Sequence, residues 1–189
     1  MPVRCFLALE VPEPVREDIG RRLESLRGDF PPARWVPPSN YHLTLLFLGE
    51  LGASQVERLG AKLAPVFGAA STMRVSLRGA GCFPASGGAR VIWLGFESQP
   101  ELAKLASKVA GLCSEEIDRQ PESRPYRPHL TLARCRKPWP RETAERLEEQ
   151  LRAFPSYDIA ASRVVLMESI GGSYRVASSF PLGSRSGVG

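Results

Sequence analysis

Two copies of the tetrapeptide His-Leu-Thr-Leu contain every histidine of this 189-residue chain. The copies begin at His42 and at His129. Because side chains alternate between the two faces of a strand, His42 and Thr44 should share one face, and the leucines should point into the core. The same spacing places His129 beside Thr131. A single such histidine would most often be a satisfied core residue, but two copies that hold the whole histidine content favour a functional site.

Two imidazoles and two hydroxyl groups suit an in-line displacement at phosphorus. Such a reaction needs a base to activate the nucleophile and an acid to protonate the leaving oxygen. Histidine can do either near neutral pH, because its reference pKa is about 6.5. Hydroxyl donors can hold the non-bridging oxygens. The sequence has no HExxH motif and no carboxylate array near either histidine, so we expect neither a metal nor a cofactor.

The charge of the chain is compatible with a phosphate-bearing partner. The formal net charge is +5, and arginine outnumbers lysine by 21 to 4. Arginine binds phosphate through planar bidentate contacts, although a coding bias towards arginine would give the same composition. The second motif lies inside a basic block, 119–141, with one acidic residue, Glu122. The basic residues of this block are Arg119, Arg124, Arg127, Arg134, Arg136, Lys137 and Arg141.

Three aromatic residues lie near the motifs in the sequence and could stack on a base. They are Trp35, Tyr41 and Tyr126. Each of them, taken singly, is more often a structural residue than a ligand contact. The sequence alone leaves open which aromatic residue would contact a base.

Strand-like and helix-like segments alternate along the chain. Apolar residues at a spacing of three to four predict helices over 14–26, 54–67, 101–117 and 141–154. β-rich runs predict strands over 4–10, 41–48, 72–81, 89–96, 128–135, 157–168 and 173–182. Pairs of strands mix with helices, which predicts an α+β fold with antiparallel or mixed sheets. The order strand–helix–strand holds over 4–49 and again over 89–136, so the two halves echo each other.

The length and composition predict one domain over 1–182 and a disordered tail over 183–189. No apolar run approaches the ~20 residues that a membrane span requires. The four cysteines form no CxxC motif, and we expect those at 5, 82 and 135 to be small buried hydrophobes. We therefore expect no membrane association and a reducing, cytoplasmic location.

The paired motifs resemble those of the 2H phosphoesterase superfamily. Within it, the chain is similar to the bacterial and archaeal RNA 2′,3′-cyclic phosphodiesterases, which have also been called 2′-5′ RNA ligases. The resemblance extends over almost the whole chain. It includes the runs 4–9, 34–38, 41–49, 81–84, 127–134 and 164–169.

This resemblance implies a bilobal α+β fold with an internal pseudo-two-fold axis, sheets that line a central basic cleft, and helices outside. It also implies the site residues. His42 would be the proton donor and His129 the proton acceptor. Thr44 and Thr131 would hold the phosphate, and Arg134, five residues after the second histidine, would contribute to phosphate binding.

Arg134 conflicts with the simple alternation of a strand. It has the opposite parity to His129, so an ideal strand would direct it away from the cleft. A β-bulge or the end of the strand would be needed to bring it to the cleft.

The implied activity is metal-independent opening of an RNA-terminal 2′,3′-cyclic phosphate by water, which leaves a 2′-phosphomonoester. The same site could run in reverse as a 2′-5′ RNA ligase. Two alternatives are a phosphodiesterase for another cyclic nucleotide and a non-catalytic module that binds a terminal RNA phosphate. A third is a structural domain with two core histidines. The expected partner is RNA with a cyclic phosphate end, such as a tRNA fragment, and we expect a monomer.

Overall fold

The structure, a computed structural model, describes residues 2–97, 100–117 and 126–183. Within this part of the chain it contains four α-helices and nine β-strands. The helices are α1 (Glu13–Leu26), α2 (Ala53–Gly68), α3 (Pro100–Cys113) and α4 (Arg141–Arg152). The strands are β1 (Val3–Glu10), β2 (Ala33–Trp35), β3 (His42–Leu51), β4 (Met73–Phe83), β5 (Ala89–Phe96), β6 (His129–Trp139), β7 (Tyr157–Ala161), β8 (Arg163–Ile170) and β9 (Ser173–Pro181).

The strands form two antiparallel sheets. The first has the order β3-β1-β8-β9 and the second has the order β2-β6-β5-β4-β7. Every pairing between neighbouring strands is antiparallel. The predicted α+β fold is therefore confirmed.

The two sheets repeat one arrangement. The succession β1-α1-β3-α2 in the first half corresponds to β5-α3-β6-α4 in the second. In both, the motif strand pairs with the preceding long strand, so that β3-β1-β8-β9 matches β6-β5-β4-β7. Strand β2 is the exception, because it leaves the first half of the chain and joins the edge of the second sheet at β6.

The helices bury one apolar face each against the sheets. Ile19 and Leu23 of α1 are buried, as are Leu147 and Leu151 of α4. They belong to one continuous core that includes residues of both sheets and all four helices. The faces of β3 and β6 that carry the motif leucines join this core, so the faces that carry the histidines are turned away from the helices.

Several predicted boundaries differ from the structure. The predicted strand 157–168 is two strands, because β7 pairs with β4 in the second sheet and β8 pairs with β1 in the first. The chain changes sheets at Ser162, which an apolar pattern cannot reveal. Strand β2 was not predicted, since its three residues are too few to show a period. The predicted helix 101–117 ends at Cys113.

The first residue of the predicted tail is part of the fold. Gly183, expected to begin the tail, forms a bridge with Ser71, and its carbonyl accepts a hydrogen bond from the Thr72 amide at 3.0 Å. The remainder of the predicted tail lies outside the described residues. All four cysteines are buried free thiols whose pKa is raised by burial, which confirms the prediction of buried residues at 5, 82 and 135. No helix in the described ranges has both the length and the apolar character needed to cross a membrane.

Candidate active site

Each motif histidine is the first residue of its strand. His42 begins β3 and His129 begins β6, and both side chains are half-buried. Two residues further on, Thr44 and Thr131 are also half-buried, whereas the leucines between and after them are buried in the core. The structure therefore has the predicted alternation in both motifs, with imidazole and hydroxyl group on one face.

The two motifs meet between the sheets. The hydroxyl group of Tyr126, just upstream of the second motif, donates a hydrogen bond to the backbone carbonyl of Thr44, with an Oη–O distance of 2.9 Å. The segment before the second motif therefore contacts the first motif strand, and the histidine-bearing starts of β3 and β6 lie at one cleft between the sheets.

The two imidazoles are held in the same way. Nδ1 of His42 is 2.7 Å from the carbonyl oxygen of Asn40, and Nδ1 of His129 is 2.8 Å from that of Arg127. A carbonyl oxygen can only accept, so each Nδ1 carries a proton, and Nε2 is the nitrogen left for chemistry. In both motifs the accepting carbonyl lies two residues before the histidine. Nε2 of His42 also lies 3.1 Å from Oγ1 of Thr44.

Burial makes both imidazoles weaker bases than a free histidine. The pKa of His42 is lowered from 6.5 to about 4, mainly because burial disfavours the charged ring. The pKa of His129 is lowered for the same reason, and the hydrogen bond to a carbonyl partly opposes the effect in both cases. The charge of Arg134 lowers both pKa values further. Without a bound anion, both histidines are therefore neutral at pH 7.

A β-bulge in β6 brings Arg134 to the cleft. The consecutive residues 92–93 of β5 pair with Ala133 and Thr131, so Leu132 is the extra residue. Beyond it the alternation is inverted: Ala133 is buried and Arg134 is exposed. The bulge thus restores Arg134 to the face of its motif histidine, which an ideal strand would not allow.

The first motif strand carries the same bulge. The consecutive residues 7–8 of β1 pair with Leu46 and Thr44, so Leu45 is the extra residue of β3. Phe47, five residues after the first histidine, is 46% exposed. It occupies the position that corresponds to Arg134 in the other half of the molecule.

Aromatic rings surround His42 on the first sheet. The ring of Phe6 lies 4.8 Å from the imidazole, and Tyr174 meets the imidazole edge-on at 5.1 Å. Phe47 lies beside Phe6, with 6.1 Å between the ring centroids. The first sheet therefore presents an aromatic wall to the cleft.

His129 has aromatic neighbours in corresponding places on the second sheet. Phe83 meets it edge-on at 5.1 Å, and Trp93 lies at 6.1 Å. A Cβ at position 81 would collide with the Trp93 ring, so a glycine there lets the indole lie over β4. These rings fix the orientation of the imidazole by packing.

The aromatic residues singled out from the sequence have other roles. Tyr41 is only 3% exposed and belongs to the core. Trp35 packs edge-on against Trp139 at 6.2 Å, and Tyr126 is partly buried with its hydroxyl group bonded to the first motif strand. Phe47 was missed, although comparison of the two repeats at the fifth residue after each histidine would have indicated it.

The basic block is only partly within the described residues, because Arg119, Glu122 and Arg124 lie outside them. Of its other members, Arg127, Arg134, Arg136 and Lys137 are exposed. Arg141 instead pairs with Glu145 at 2.8 Å and donates to the carbonyl of Ala85. Arg141 therefore stabilises the start of α4 and is not a free phosphate contact.

A cavity of about 470 Å³ adjoins the site on the side of His42. Asn40 and Tyr174, which both contact the imidazole of His42, line it. Its volume is within the range of small-molecule sites. Among residues 2–97, 100–117 and 126–183, no group of three or more histidine, cysteine or acidic side chains is arranged to hold a metal ion.

Two related sheets that each present a His-x-Thr motif to a common cleft define a two-histidine phosphoesterase. The family model of the 2′-5′ RNA ligase superfamily matches residues 12–173. This chain belongs to that superfamily.

Named relatives cover most of the chain. The RNA 2′,3′-cyclic phosphodiesterase of Methanothermobacter thermautotrophicus is 31% identical over 164 residues, which are 87% of this chain and 86% of that protein. The RNA 2′,3′-cyclic phosphodiesterase of Thermus thermophilus is 37% identical, over 74% of this chain and 72% of that protein.

Solved structures have the same fold. Escherichia coli LigT in complex with 3′-AMP superposes with a TM-score of 0.70 at 26% identity, covering 96% of this chain and 99% of that one. TT0787 of Thermus thermophilus gives the same TM-score and coverage at 29% identity.

Proposed function

We propose that this protein hydrolyses the 2′,3′-cyclic phosphate at the end of an RNA chain to a 2′-phosphomonoester, and that two histidines do so without a metal ion. One observation carries the proposal. Two imidazoles are fixed through Nδ1 to the carbonyl two residues before them, at the starts of two strands that the Tyr126 hydrogen bond joins. A binding module has no need of two such groups, because arginine and lysine bind phosphate without titrating near pH 7.

His129 acts as the base. With Nδ1 protonated, its Nε2 has a free electron pair that can accept a proton from water as the water oxygen attacks phosphorus. The neutral state that this role requires is the state that burial and Arg134 favour.

His42 acts as the acid. It must carry a proton on both ring nitrogens and donate the one on Nε2 to the departing 3′ oxygen. Its pKa of about 4 in the free protein means that this proton is acquired when the substrate binds. The negative charge of the phosphodiester favours the imidazolium form and supplies the driving force.

The remaining polar groups bind the phosphate. The hydroxyl groups of Thr44 and Thr131 donate to non-bridging oxygens as negative charge redistributes in the transition state. Arg134 adds a bidentate donor, and the bulge that turns it to the face of His129 supports this role.

Product analysis tests the activity. A short RNA ending in a 2′,3′-cyclic phosphate is incubated with the protein in excess EDTA, and the product end is identified by chromatography against 2′- and 3′-phosphate standards. We expect turnover in EDTA, because the acid, the base and the phosphate contacts are all side chains. We expect the 2′-phosphate, because in the proposed mechanism His42 protonates the departing 3′ oxygen. Unchanged substrate would contradict catalysis, and tight binding without turnover would favour the binding module.

A sulfur-substituted substrate tests the two roles separately. When the 3′ oxygen of the cyclic phosphate is replaced by sulfur, the leaving thiolate needs no proton. We expect His42→Ala to be nearly as active as the unchanged protein on this substrate, and His129→Ala to remain inactive. If His129→Ala were active on this substrate and His42→Ala inactive, His129 would be the acid and His42 the base.

The partner in this proposal is an RNA that ends in a cyclic phosphate, and tRNA fragments are one example of such an RNA. The protein itself acts as a monomer in the cytoplasm. Incubating a cyclic-phosphate RNA with a second RNA that has a 5′-hydroxyl group tests the reverse reaction, since ligation would yield a 2′-5′ linkage. Parallel assays with cyclic mononucleotides test the alternative substrate class, and gel filtration tests the monomer.

A further inference from the structure

Arg34 lies directly opposite Arg134 in the second sheet. Strand β2 pairs with β6 in the register Arg34 to Arg134, and the neighbouring amide of Val36 donates to the carbonyl of Leu132 at 2.8 Å. Residues directly opposite in neighbouring strands have side chains on the same face. Arg34 is exposed, so it shares the cleft face with Arg134.

The guanidinium group of Arg34 extends from the second sheet to the first. It lies against Gly172 in the turn between β8 and β9, where a Cβ would collide with Nη2. Gly172 has a φ of +91°, and its carbonyl accepts a hydrogen bond from Asn40 at 3.2 Å. Arg34 is thus held at the end of the cleft, beside the segment that positions His42.

The side chains of Arg34 and Arg134 extend to different parts of the cleft. Arg134 belongs to β6, the strand that also carries His129 and Thr131, and the bulge turns it to the same face as these two residues. Arg34 starts from the edge strand and its guanidinium is turned to Gly172. A phosphate between the two imidazoles is therefore the partner of Arg134 and not that of Arg34.

Two like charges at directly opposed strand positions repel each other. A second anion at the Arg34 end of the cleft would relieve this repulsion. In an RNA that ends in a cyclic phosphate, the next anion along the chain is the internucleotide phosphate on the 5′ side of the terminal nucleotide.

We propose that Arg34 binds this internucleotide phosphate and so makes the enzyme prefer an RNA chain to a cyclic mononucleotide. The inference rests on the proposed function. It adds a second phosphate subsite and a reason for selecting RNA ends.

Three substrates test the proposal. Uridine 2′,3′-cyclic phosphate has no internucleotide phosphate, the dinucleotide UpU 2′,3′-cyclic phosphate has one, and the same dinucleotide with a methylphosphonate linkage has a neutral group in its place. We expect the unchanged protein to have a KM about tenfold lower for the charged dinucleotide than for the other two, with similar kcat.

Arg34→Gln is the main variant. We expect it to raise KM for the charged dinucleotide about tenfold and to leave KM for the other two substrates unchanged. Losing one phosphate contact should also reduce the slope of log KM against log salt by roughly 0.7 for the charged dinucleotide. Arg34→Lys keeps the charge but not the planar donors, so its KM for the charged dinucleotide should lie between those of the unchanged protein and Arg34→Gln.

Arg21→Gln is the matched control, because it removes the same charge from α1, where the side chain is 72% exposed and paired with Asp18. It should change none of these KM values.

An equal effect of Arg34→Gln on the KM of all three substrates would assign Arg34 a structural role and overturn the proposal. Equal KM values of the unchanged protein for the two dinucleotides would also overturn it, whether or not the variants fold. If the unchanged protein hydrolyses none of the three substrates, the proposed function itself fails.

Discussion

Phe47 and Arg134 occupy corresponding positions in the two halves of the molecule. Each lies five residues after a motif histidine, and each follows a bulge at the last leucine of its motif. The fold is repeated but the chemistry is not, because one position carries an exposed aromatic ring and the other a guanidinium group. At this position, therefore, the first sheet presents an exposed aromatic ring to the cleft and the second sheet a positive charge.

This asymmetry predicts that the base of the terminal nucleotide stacks on Phe47. Stacking of one base on an aromatic side chain contributes about 1–3 kcal/mol to binding. Phe47→Ala should therefore raise KM for a cyclic-phosphate RNA at least fivefold, whereas Phe47→Trp should not. Ile170→Ala removes a side chain that is equally exposed, at 48%, and serves as the control. An unchanged KM in Phe47→Ala would place the base elsewhere.

Removal of either histidine should abolish turnover but leave the fold intact. An acid and a base each contribute roughly 10²–10⁴-fold, and both act in one displacement. We therefore expect His42→Ala and His129→Ala each to lose at least 100-fold in kcat. Circular dichroism and cooperative thermal unfolding check the fold, since both side chains line the cleft and not the core. Wild-type rates in either variant would contradict the acid–base assignment.

The pH dependence of the rate should differ between kcat/KM and kcat. The first reports the free protein, in which the pKa values of both histidines are lowered, that of His42 to about 4. The second reports the complex, in which the bound phosphate raises them. Both profiles should be bell-shaped, and the alkaline limb of kcat should lie at higher pH than that of kcat/KM. Coincident profiles would mean that the bound phosphate raises the pKa of neither histidine, and flat profiles from pH 5 to 9 would exclude a two-histidine mechanism.

The half-buried imidazole of His42 should also make the protein less stable in acid. Its pKa is about 4 when folded and about 6.5 when unfolded, so the unfolded chain binds more protons between these values. This contribution to the free energy of unfolding is complete above pH 6.5 and is lost as the pH falls towards 4. His42→Phe keeps the aromatic contacts with Phe6 and Tyr174 but cannot titrate. Urea unfolding at pH 7, 6 and 5 measures the free energy of unfolding of both proteins. As the pH falls, His42→Phe should lose less of it than the unchanged protein. Equal losses in the two proteins would contradict the lowered pKa of His42.

The sequence determined which residues could do the chemistry and most of the elements that carry them. The His-x-Thr spacing defined the face of each motif, because the alternation of a strand is a local property of the backbone. Helical periodicity located all four helices for the same reason. The repeated order strand–helix–strand along the chain indicated that the molecule has two similar halves.

Only the tertiary structure decided how those residues are combined. The bulges at Leu45 and Leu132 depend on pairing with β1 and β5, and pairing is not encoded within the motif strands themselves. The tertiary structure also decided the change of sheet at Ser162 and the union of β2 with β6. The pKa of His42 likewise depends on residues distant in the chain that exclude water from the imidazole. Hydrogen bonds and burial between distant segments set these features, so a pattern read along the chain could not contain them.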